Sequence, residues 1–240
     1  MMANDWESKY FYVGDFYEGL ARVNVGGKYL QSGEDEDLGS NVGLVEGGQW
    51  GFVDETGKEV IPPKYDWVDY FHNGFARVNV GGEYVQSEED EDLGWNVGLP
   101  EGGQWGFVDE TGKEVVPLKY DGVSLFSDGL AGVKLNGKWG FLNEQDEEVI
   151  ERKYDTIGPF FEGFARVELD GKWGLIDKKD KVVVPLKYDD LGFFSEGFAA
   201  VKLNGQWGFI NTQGKEVVPP KYDDVGDFNG DLAMVRLDNK

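Results

Sequence analysis

The segment from residue 199 to 222 alternates between apolar and polar positions in short runs. Residues 199–203 read Ala-Ala-Val-Lys-Leu, and a two-residue period indicates a half-buried β-strand. Asn204-Gly205 follows, which is typical of a type I′ hairpin because both central residues need positive φ. A return strand is predicted at 206–210 and a third at 216–218, where Pro219-Pro220 should end the pairing. The segment therefore predicts a three-stranded β-meander followed by a connector.

This pattern recurs along the chain, and a fixed recurrence of this length is typical of repeat architectures. Three landmarks share the spacing: a Trp-Gly pair, a Lys-Tyr pair and a small residue in the first strand. The landmark residues are Trp50, Trp105, Trp139, Trp173 and Trp207; Tyr10, Tyr65, Tyr120, Tyr154, Tyr188 and Tyr222; and Ala21, Ala76, Ala131, Ala165, Ala199 and Ala233. The interval is 34 residues in the later copies and 55 in the first two. We therefore predict five units and a partial sixth.

The unit boundaries follow from these landmarks within a single array over residues 1–240. The units are predicted at 9–63, 64–118, 119–152, 153–186 and 187–220, with a capping half-unit at 221–240. The first two units are longer because each carries an acidic insert, at about 29–48 and 84–103. Helical repeats of the same period are rejected, since each glycine inside a helix costs about 1 kcal/mol and each proline about 3 kcal/mol.

One meander cannot bury its apolar face alone, so neighbouring units must stack around a shared core. The repeated Trp of Trp-Gly and Tyr of Lys-Tyr are interpreted as this core, while the intervening Gly permits a close backbone approach. An aromatic ladder for sugars or choline-like cations is the alternative for these rings. Both chain ends carry the same part of the unit, which favours an all-β, open, solenoid-like stack over a β-propeller with complementary ends.

Three segments then carry a resemblance to a known family. NGKWGFLN at 136–143, DGKWGLID at 170–177 and NGQWGFIN at 204–211 are each followed by a β-branched strand and Lys-Tyr-Asp. They resemble the bacterial WG-repeat proteins, also called KWG repeats, over nearly the whole chain. The departures are the two inserts and Gly-Gly in place of Asn-Gly. The resemblance implies a β architecture and an interaction role, and it supplies no catalytic residues.

The composition limits the classes of partner that we expect. The chain has 46 acidic and 23 basic residues, a net charge of −23, which disfavours nucleic acid and anionic membranes. A protein or peptide partner is expected, and a basic one would complement the charge. No apolar run is long enough to span a membrane, and the first residues do not resemble a signal peptide. We expect a cytoplasmic protein, with a mature secreted form as the alternative.

Candidate catalytic chemistry is sparse. Cysteine is absent and His72 is the only histidine, so one chain cannot form a histidine-based triad or a His- or Cys-rich metal site. His72 is interpreted as a solvated connector residue. Acidic pairs at a glycosidase spacing could exist, but the sequence singles none out. We expect a protein without catalytic activity and without a cofactor.

Two acidic runs lie in the inserts. The first run consists of Glu34, Asp35, Glu36 and Asp37, and the second of Glu88, Glu89, Asp90, Glu91 and Asp92. Carboxylates of this kind can bind calcium, although neither EF-hand spacing nor a glycine-rich calcium repeat is present. A solvated hairpin tip is the preferred interpretation. Weak calcium binding, at the first run, and docking of a basic partner remain open.

Three tryptophans fall outside the repeated motif: Trp6, Trp67 and Trp95. Aromatic residues are enriched at interaction hot spots, so Trp67, Trp95 and the second acidic run are the candidate binding residues. The leading hypothesis is a repeat scaffold for protein or peptide binding that uses the N-terminal half. The alternatives are a carbohydrate-binding module of the cell-surface type and a structural spacer or sensor arm.

Overall fold

A computed structural model of the chain describes residues 6–29, 45–83, 100–229 and 232–237. These residues form β-strands and turns, with one short 3-10 turn at Glu7–Lys9. The chain divides into two compact units. The first comprises Met1–Phe126 with Glu144–Asp146, and the second comprises Ser127–Asn143 with Glu147–Lys240.

The first unit contains two four-stranded antiparallel sheets, ordered β1-β2-β5-β6 and β7-β8-β9-β10. Its strands are β1 (Tyr12–Tyr17), β2 (Leu20–Val25), β3 (Lys28–Tyr29), β4 (Val45–Glu46), β5 (Gln49–Asp54), β6 (Glu59–Tyr65), β7 (Trp67–Val68), β8 (Phe75–Glu83), β9 (Glu101–Asp109), β10 (Glu114–Tyr120) and β11 (Gly122–Val123). The short strands β3 and β4 pair with each other where the first insert leaves the sheet.

The second unit continues the same pattern. Its strands are β12 (Leu130–Leu135), β13 (Lys138–Asn143), β14 (Glu148–Tyr154), β15 (Thr156–Ile157), β16 (Phe164–Leu169), β17 (Lys172–Asp177), β18 (Val182–Tyr188), β19 (Asp190–Leu191), β20 (Phe198–Leu203), β21 (Gln206–Asn211), β22 (Glu216–Tyr222), β23 (Asp224–Asn229) and β24 (Leu232–Arg236). Strands β12 to β14 are antiparallel, the sheets β15-β16-β17-β18 and β19-β20-β21-β22 follow, and β23 pairs with β24.

Tandem antiparallel sheets confirm the predicted all-β repeat fold, and no sheet among the described residues closes into a barrel. The structure adds a leading strand in the predicted connector, of six residues in β1 and of two residues in β7, β15 and β19. In the fourth repeat Thr156 pairs with Glu168 and Ile157 with Val167. The backbone N–H of Gly158 then donates to the carbonyl of Arg166 at 2.8 Å. The meander therefore has three long strands and a short leading strand.

The prediction that proline ends the last strand of the unit is wrong. Strand β22 continues through Pro219-Pro220 to Tyr222, and its register shifts between the pairs Phe209–Val218 and Trp207–Tyr222. β22 is an edge strand, so the N–H groups that proline lacks are not needed for a second ladder. A bulge takes up the irregularity, and pairing resumes at the tyrosine.

The predicted turn and the predicted close approach are both confirmed. Asn204 and Gly205 have φ of 52° and 78°, the values that a type I′ turn requires. A Cβ built on Gly208 would lie 2.4 Å from the carbonyl oxygen of Val218. The Gly of Trp-Gly is therefore required because the bulged edge strand crosses directly over it.

The repeats are numbered 1 to 5 in chain order, and each is counted as ending at the Lys-Tyr-Asp motif that follows its Trp-Gly pair. Four of them share one kind of junction. The phenylalanine after Trp-Gly packs against a connector phenylalanine of the next repeat, with ring centroids 4.7–4.9 Å apart. These pairs are Phe52–Phe71, Phe107–Phe126, Phe141–Phe160 and Phe209–Phe228. Each sheet thus covers its apolar face with the following connector, which supplies the shared core that a single meander lacks.

The predicted core residues are placed as follows. Trp50 and Trp105 are buried, whereas the other three repeated tryptophans are half-buried: Trp139, Trp173 and Trp207. Four of the repeated tyrosines are buried, namely Tyr65, Tyr120, Tyr154 and Tyr188, and Tyr222 is half-buried. The repeated tryptophans are thus more covered in the two long repeats than in the three short ones.

Candidate functional site

Trp67 begins strand β7, directly after the Lys-Tyr-Asp motif, and pairs with Asn79 of β8. Its ring is half-buried and meets the ring of Trp105 edge-on, with centroids 5.3 Å apart. In repeat 1, Tyr12 lies against Trp50 in the same way at 5.7 Å. The short repeats have Gly122, Thr156 and Asp190 at this position. An aromatic residue at this position covers the repeated tryptophan, which explains why Trp50 and Trp105 are buried while the other repeated tryptophans are half-buried.

An ion pair between Arg77 and Asp69 packs beside the Trp67 ring. The guanidinium carbon of Arg77 lies 5.7 Å from the Trp67 ring centroid. The Nε of Arg77 donates to the Asp69 carboxylate at 2.8 Å, and its Nη2 donates to the same oxygen. Both side chains of this pair are largely buried. Trp67 is therefore fixed by packing on one side and presents the remainder of its surface to a neighbouring cavity.

That cavity has a volume of about 350 Å³ and lies where the two inserts leave repeats 1 and 2. Its walls combine aromatic, glycine and acidic residues. They are Val45, Gly47, Gly48, Trp50, Asp66, Trp67, Gly82, Glu83 and Pro100. The structure thus brings Trp67 to the base of the inserts, together with residues that the sequence did not single out.

Two buried asparagines hold the necks of the inserts. Asn79 is fully buried; its Nδ2 donates to the carbonyl of Gly102 at 3.1 Å and its Oδ1 accepts from the Gly82 N–H at 3.0 Å. Asn24 makes the matching pair with Gly47 and Gly27 at 3.0 and 2.9 Å. The signal in the sequence is Arg-Val-Asn-Val, which occurs in the long units, whereas the short units carry Lys or Glu at that position.

Asp66 is one of the two acidic residues in the cavity wall, with Glu83. Its Oδ2 accepts from the Gly81 N–H at 2.6 Å, which fixes the carboxylate. In the short repeats, the equivalent Asp155 and Asp189 form ion pairs with the lysine that precedes Trp-Gly, and these lysines lower their pKa. Gln49 replaces that lysine before Trp50. Asp66 therefore lacks, at this position, the lysine that pairs with Asp155 and Asp189.

The unit around this cavity carries most of the charge of the chain. The first unit has 27 acidic and 8 basic residues, a net charge of −19, whereas the second has 19 and 15, a net charge of −4. Charges of one sign around a recess strengthen the local potential and attract counter-charged partners. The site is therefore chemically suited to a cationic group.

Other predicted site residues are placed elsewhere or are not described. Trp95 and both acidic runs, Glu34–Asp37 and Glu88–Asp92, lie outside the described residues. Trp6 is half-buried and meets Tyr10 edge-on at 6.4 Å, and His72 is exposed in a turn. Among the described residues, no cluster of three acidic or histidine side chains could hold a metal ion. No helix within them has the length and hydropathy needed to cross a membrane.

The family model of the WG containing repeat matches residues 7–29, 50–84, 105–139, 139–173, 173–207 and 207–240. The chain belongs to this family. The predicted resemblance is confirmed, and the chain is a WG-repeat module. Residues 30–49 and 85–104 fall between the matches, so the two acidic inserts are additions to the family's unit.

Curated proteins and solved structures do not extend the family assignment. A search of curated proteins gave no match. One solved structure, titled "Crystal structure of the eukaryotic initiation factor", is 10% identical with a TM-score of 0.46. The alignment covers 85% of this chain and 52% of that one, so the chain spans about half the length of that protein.

Proposed function

We propose that this WG-repeat module is a non-catalytic scaffold that binds a protein or peptide through basic residues of the partner. The observation that carries the proposal is the cavity at the insert base. Trp50 and Trp67 line it beside Asp66 and Glu83, in a unit of net charge −19. An aromatic surface next to a carboxylate matches the chemistry of a lysine or arginine side chain.

Each part of the site has a role in this proposal. The apolar stem of a lysine or arginine packs on Trp67, and its charged head lies over the ring face or beside Asp66. A cation over an aromatic face contributes about 0.5–2 kcal/mol, depending on how much water is removed. The surrounding acidic charge speeds the encounter with a basic partner, and salt weakens this effect.

The alternatives have less support. A sugar-binding ladder needs exposed aromatic faces, and every tryptophan in the described residues is buried or half-buried. A spacer or sensor arm does not require a binding cavity, so this alternative gives the insert-base cavity no role. The cavity is lined by residues that flank the two inserts, and a role in binding a partner would account for it.

Binding of a fluorescently labelled lysine- and arginine-rich peptide, followed by anisotropy at low and high salt, tests the proposal. Two substitutions alter the cavity. Asp66→Asn removes its charge, and Trp67→Leu removes the ring while keeping an apolar cover on Trp105. Trp67→Ala is avoided because it would uncover Trp105. The matched control is Asp121→Asn, at the same motif position in repeat 2 but outside the cavity lining.

We expect each cavity variant to weaken peptide binding by about five- to tenfold at low salt, which corresponds to roughly 1–1.4 kcal/mol. Asp121→Asn should change it by less than twofold, as a rough limit for a distant surface charge. A control variant that weakens binding as much as Asp66→Asn would mean that only the overall charge matters. That result, or no binding by the unaltered protein, would overturn the proposed site.

A further inference from the structure

A second cavity lies in the second unit, at the junction of repeats 4 and 5. Its volume is about 350 Å³, within the range of sites that hold small groups. Most of its walls are apolar. The lining residues are Pro159, Phe161, Glu162, Phe164, Arg166, Leu175, Phe193, Phe194 and Thr212. Phe161 and Phe193 are 67% and 68% exposed, more than the other exposed aromatic side chains of the described residues.

The equivalent junction of repeats 1 and 2 shows what such a recess accommodates. There, Tyr17 and Tyr70 occupy the positions of Phe161 and Phe193, and their rings pack together with centroids 4.4 Å apart. Arg22 lies over Tyr70 with its guanidinium carbon 3.5 Å from the ring centroid. At this junction an aromatic ring, Tyr17, therefore packs against the surface that Arg22 and the Tyr70 ring form together.

At the second junction the same face is present beside an open cavity. The guanidinium carbon of Arg166 lies 3.7 Å from the Phe193 ring centroid and 5.5 Å from that of Trp173. Its Nη1 donates to the carbonyl of Leu191. Burial lowers the pKa of Arg166, and the nearby Asp190 opposes this change. Arg166 is thus fixed in the cavity wall by its hydrogen bond to Leu191 and by packing on the two rings.

The charge at the edge of the cavity comes from Glu162. The residues at its position in other repeats, Glu18 and Asp128, accept backbone N–H bonds from the turn of the next repeat, at 2.7–2.9 Å. Glu162 instead lines the cavity. A basic residue next to an incoming aromatic side chain would lie near this carboxylate, in a unit of net charge −4.

We propose that the cavity between Pro159, Phe161 and Phe193 binds an aromatic side chain of a partner peptide, with an adjacent lysine or arginine near Glu162. The site lies in the second unit and does not depend on the insert-base cavity. Its binding energy comes from burying one aromatic side chain, about 150–250 Å² of surface. A single anchor of this kind supports weak affinity, with a dissociation constant of about 10 to 100 micromolar.

The test titrates the full chain with a short labelled peptide of glycine and serine that carries one Phe-Lys pair. A second peptide has Ala in place of Phe. The protein variants are Phe161→Ala and Phe193→Ala, whose exposed side chains can be shortened without opening the core. Leu125→Ala is the matched control, because Leu125 occupies the position of Phe193 in repeat 3 and is also exposed. Trp67→Leu tests independence from the first cavity.

We expect the Phe-Lys peptide to bind and the Ala-Lys peptide to bind at least about tenfold more weakly, the effect of roughly 1.4 kcal/mol. Phe161→Ala and Phe193→Ala should each weaken binding by about fivefold or more, as truncation of an aromatic anchor does. Leu125→Ala and Trp67→Leu should bind as the unaltered chain does. Loss of binding in Trp67→Leu alone would support the proposed function and overturn this second site.

Two further results would also overturn the inference. One is equal binding of the Phe-Lys and Ala-Lys peptides. The other comes from sedimentation of the protein alone: a dimer that Phe161→Ala dissociates would assign the cavity to a second copy of the chain. A monomer whose peptide affinity falls with Phe161→Ala and Phe193→Ala supports the peptide site.

Discussion

The hydroxyl of Tyr154, at the end of repeat 3, donates a hydrogen bond to the Asp180 carboxylate of repeat 4 at 2.6 Å. Tyr188 makes the matching bond to Glu216 of repeat 5 at 3.0 Å. The preceding lysines, Lys153 and Lys187, form ion pairs with the same carboxylates. In repeats 3 and 4 the Lys-Tyr motif therefore connects the repeat with a carboxylate of the next one and has a structural role at the junction.

Removal of one such hydroxyl should weaken the array. We expect Tyr154→Phe to lower the free energy of unfolding by about 1–2 kcal/mol, since the bond to a charged acceptor is lost and Asp180 keeps only its lysine. Denaturant unfolding monitored by circular dichroism measures the change. Tyr222→Phe is the control, because this last copy is half-buried, and its effect should be smaller. Equal losses in both variants would contradict the role assigned to the Asp180 bond.

Alkaline pH should act through the same tyrosines. Burial, then the bond to Asp180, raises the pKa of Tyr154, and burial with Glu216 raises that of Tyr188. Burial and Glu59 raise the pKa of Tyr10 to about 12. Because each folded pKa exceeds the ordinary value of 10.0, the protonated phenols stabilise the fold below pH 10. This stability is lost as the pH rises through the folded values.

The measurement is the ultraviolet absorbance of phenolate during an alkaline titration, with circular dichroism recorded alongside. We expect these tyrosines to ionise late and together with loss of the β signal. In Tyr154→Phe the late phase should shrink. Complete ionisation near pH 10 in a protein that retains its β signal would contradict the expected shifts.

The glycine of Trp-Gly should tolerate no side chain. A Cβ on Gly174 would lie 2.6 Å from the carbonyl oxygen of Val184, so Gly174→Ala must displace the bulged edge strand, at a cost of about 3 kcal/mol. Gly192→Ala is the matched control, because its nearest atom would be 3.5 Å away. The control should be neutral or slightly stabilising, by up to about 1 kcal/mol. Thermal unfolding of both variants measures the difference, and similar melting temperatures would be inconsistent with the close approach.

The neck of the second insert should depend on Asn79. Asn79→Ala leaves the Gly82 N–H and the Gly102 carbonyl without their partner, and we expect a loss of about 1–3 kcal/mol. Faster limited proteolysis within the insert should accompany it. Asn143→Ala is the comparison, since Asn143 bonds to Glu147 in an exposed turn, and it should cost less. An Asn79 variant as stable as the Asn143 variant would exclude a role for the neck bonds.

Periodicity made much of this fold predictable. The conformation of the hairpin and of the Trp-Gly strand depends on nearby residues in the sequence. The turn at Asn204-Gly205 and the close approach at Gly208 could therefore be predicted. The continuation of β22 through Pro219-Pro220 does not, because it depends on the strand being at a sheet edge, which only the assembled sheet decides. The short leading strands, such as β15, depend likewise on pairing with a strand farther along the chain.

The candidate sites were less predictable, and Trp67 shows why. Its departure from the repeated pattern identified it, but its contacts with Trp105 and Arg77 arise from folding. Asp66 matches its counterparts in sequence, and it differs from Asp155 and Asp189 because Gln49 stands where a lysine pairs with each of those carboxylates. Phe161 and Phe193 are ordinary apolar residues in the sequence, and only their exposure beside an open cavity distinguishes them.

The repeated Phe–Phe and Tyr–carboxylate contacts have one more consequence. Each joins a residue of one repeat to a residue of the next. The phenylalanines and tyrosines recur with the period of the sequence, and the carboxylate that accepts from the tyrosine lies at one of two nearby positions, as Asp180 and Glu216 show. In the second unit, excision of one full period would bring the donor residues of the repeat before it against equivalent acceptor residues of the repeat after it. Copy number can therefore change by recombination between the short units without a new interface, and each repeat gained or lost would add or remove one set of folding and interface terms in the stability of the array.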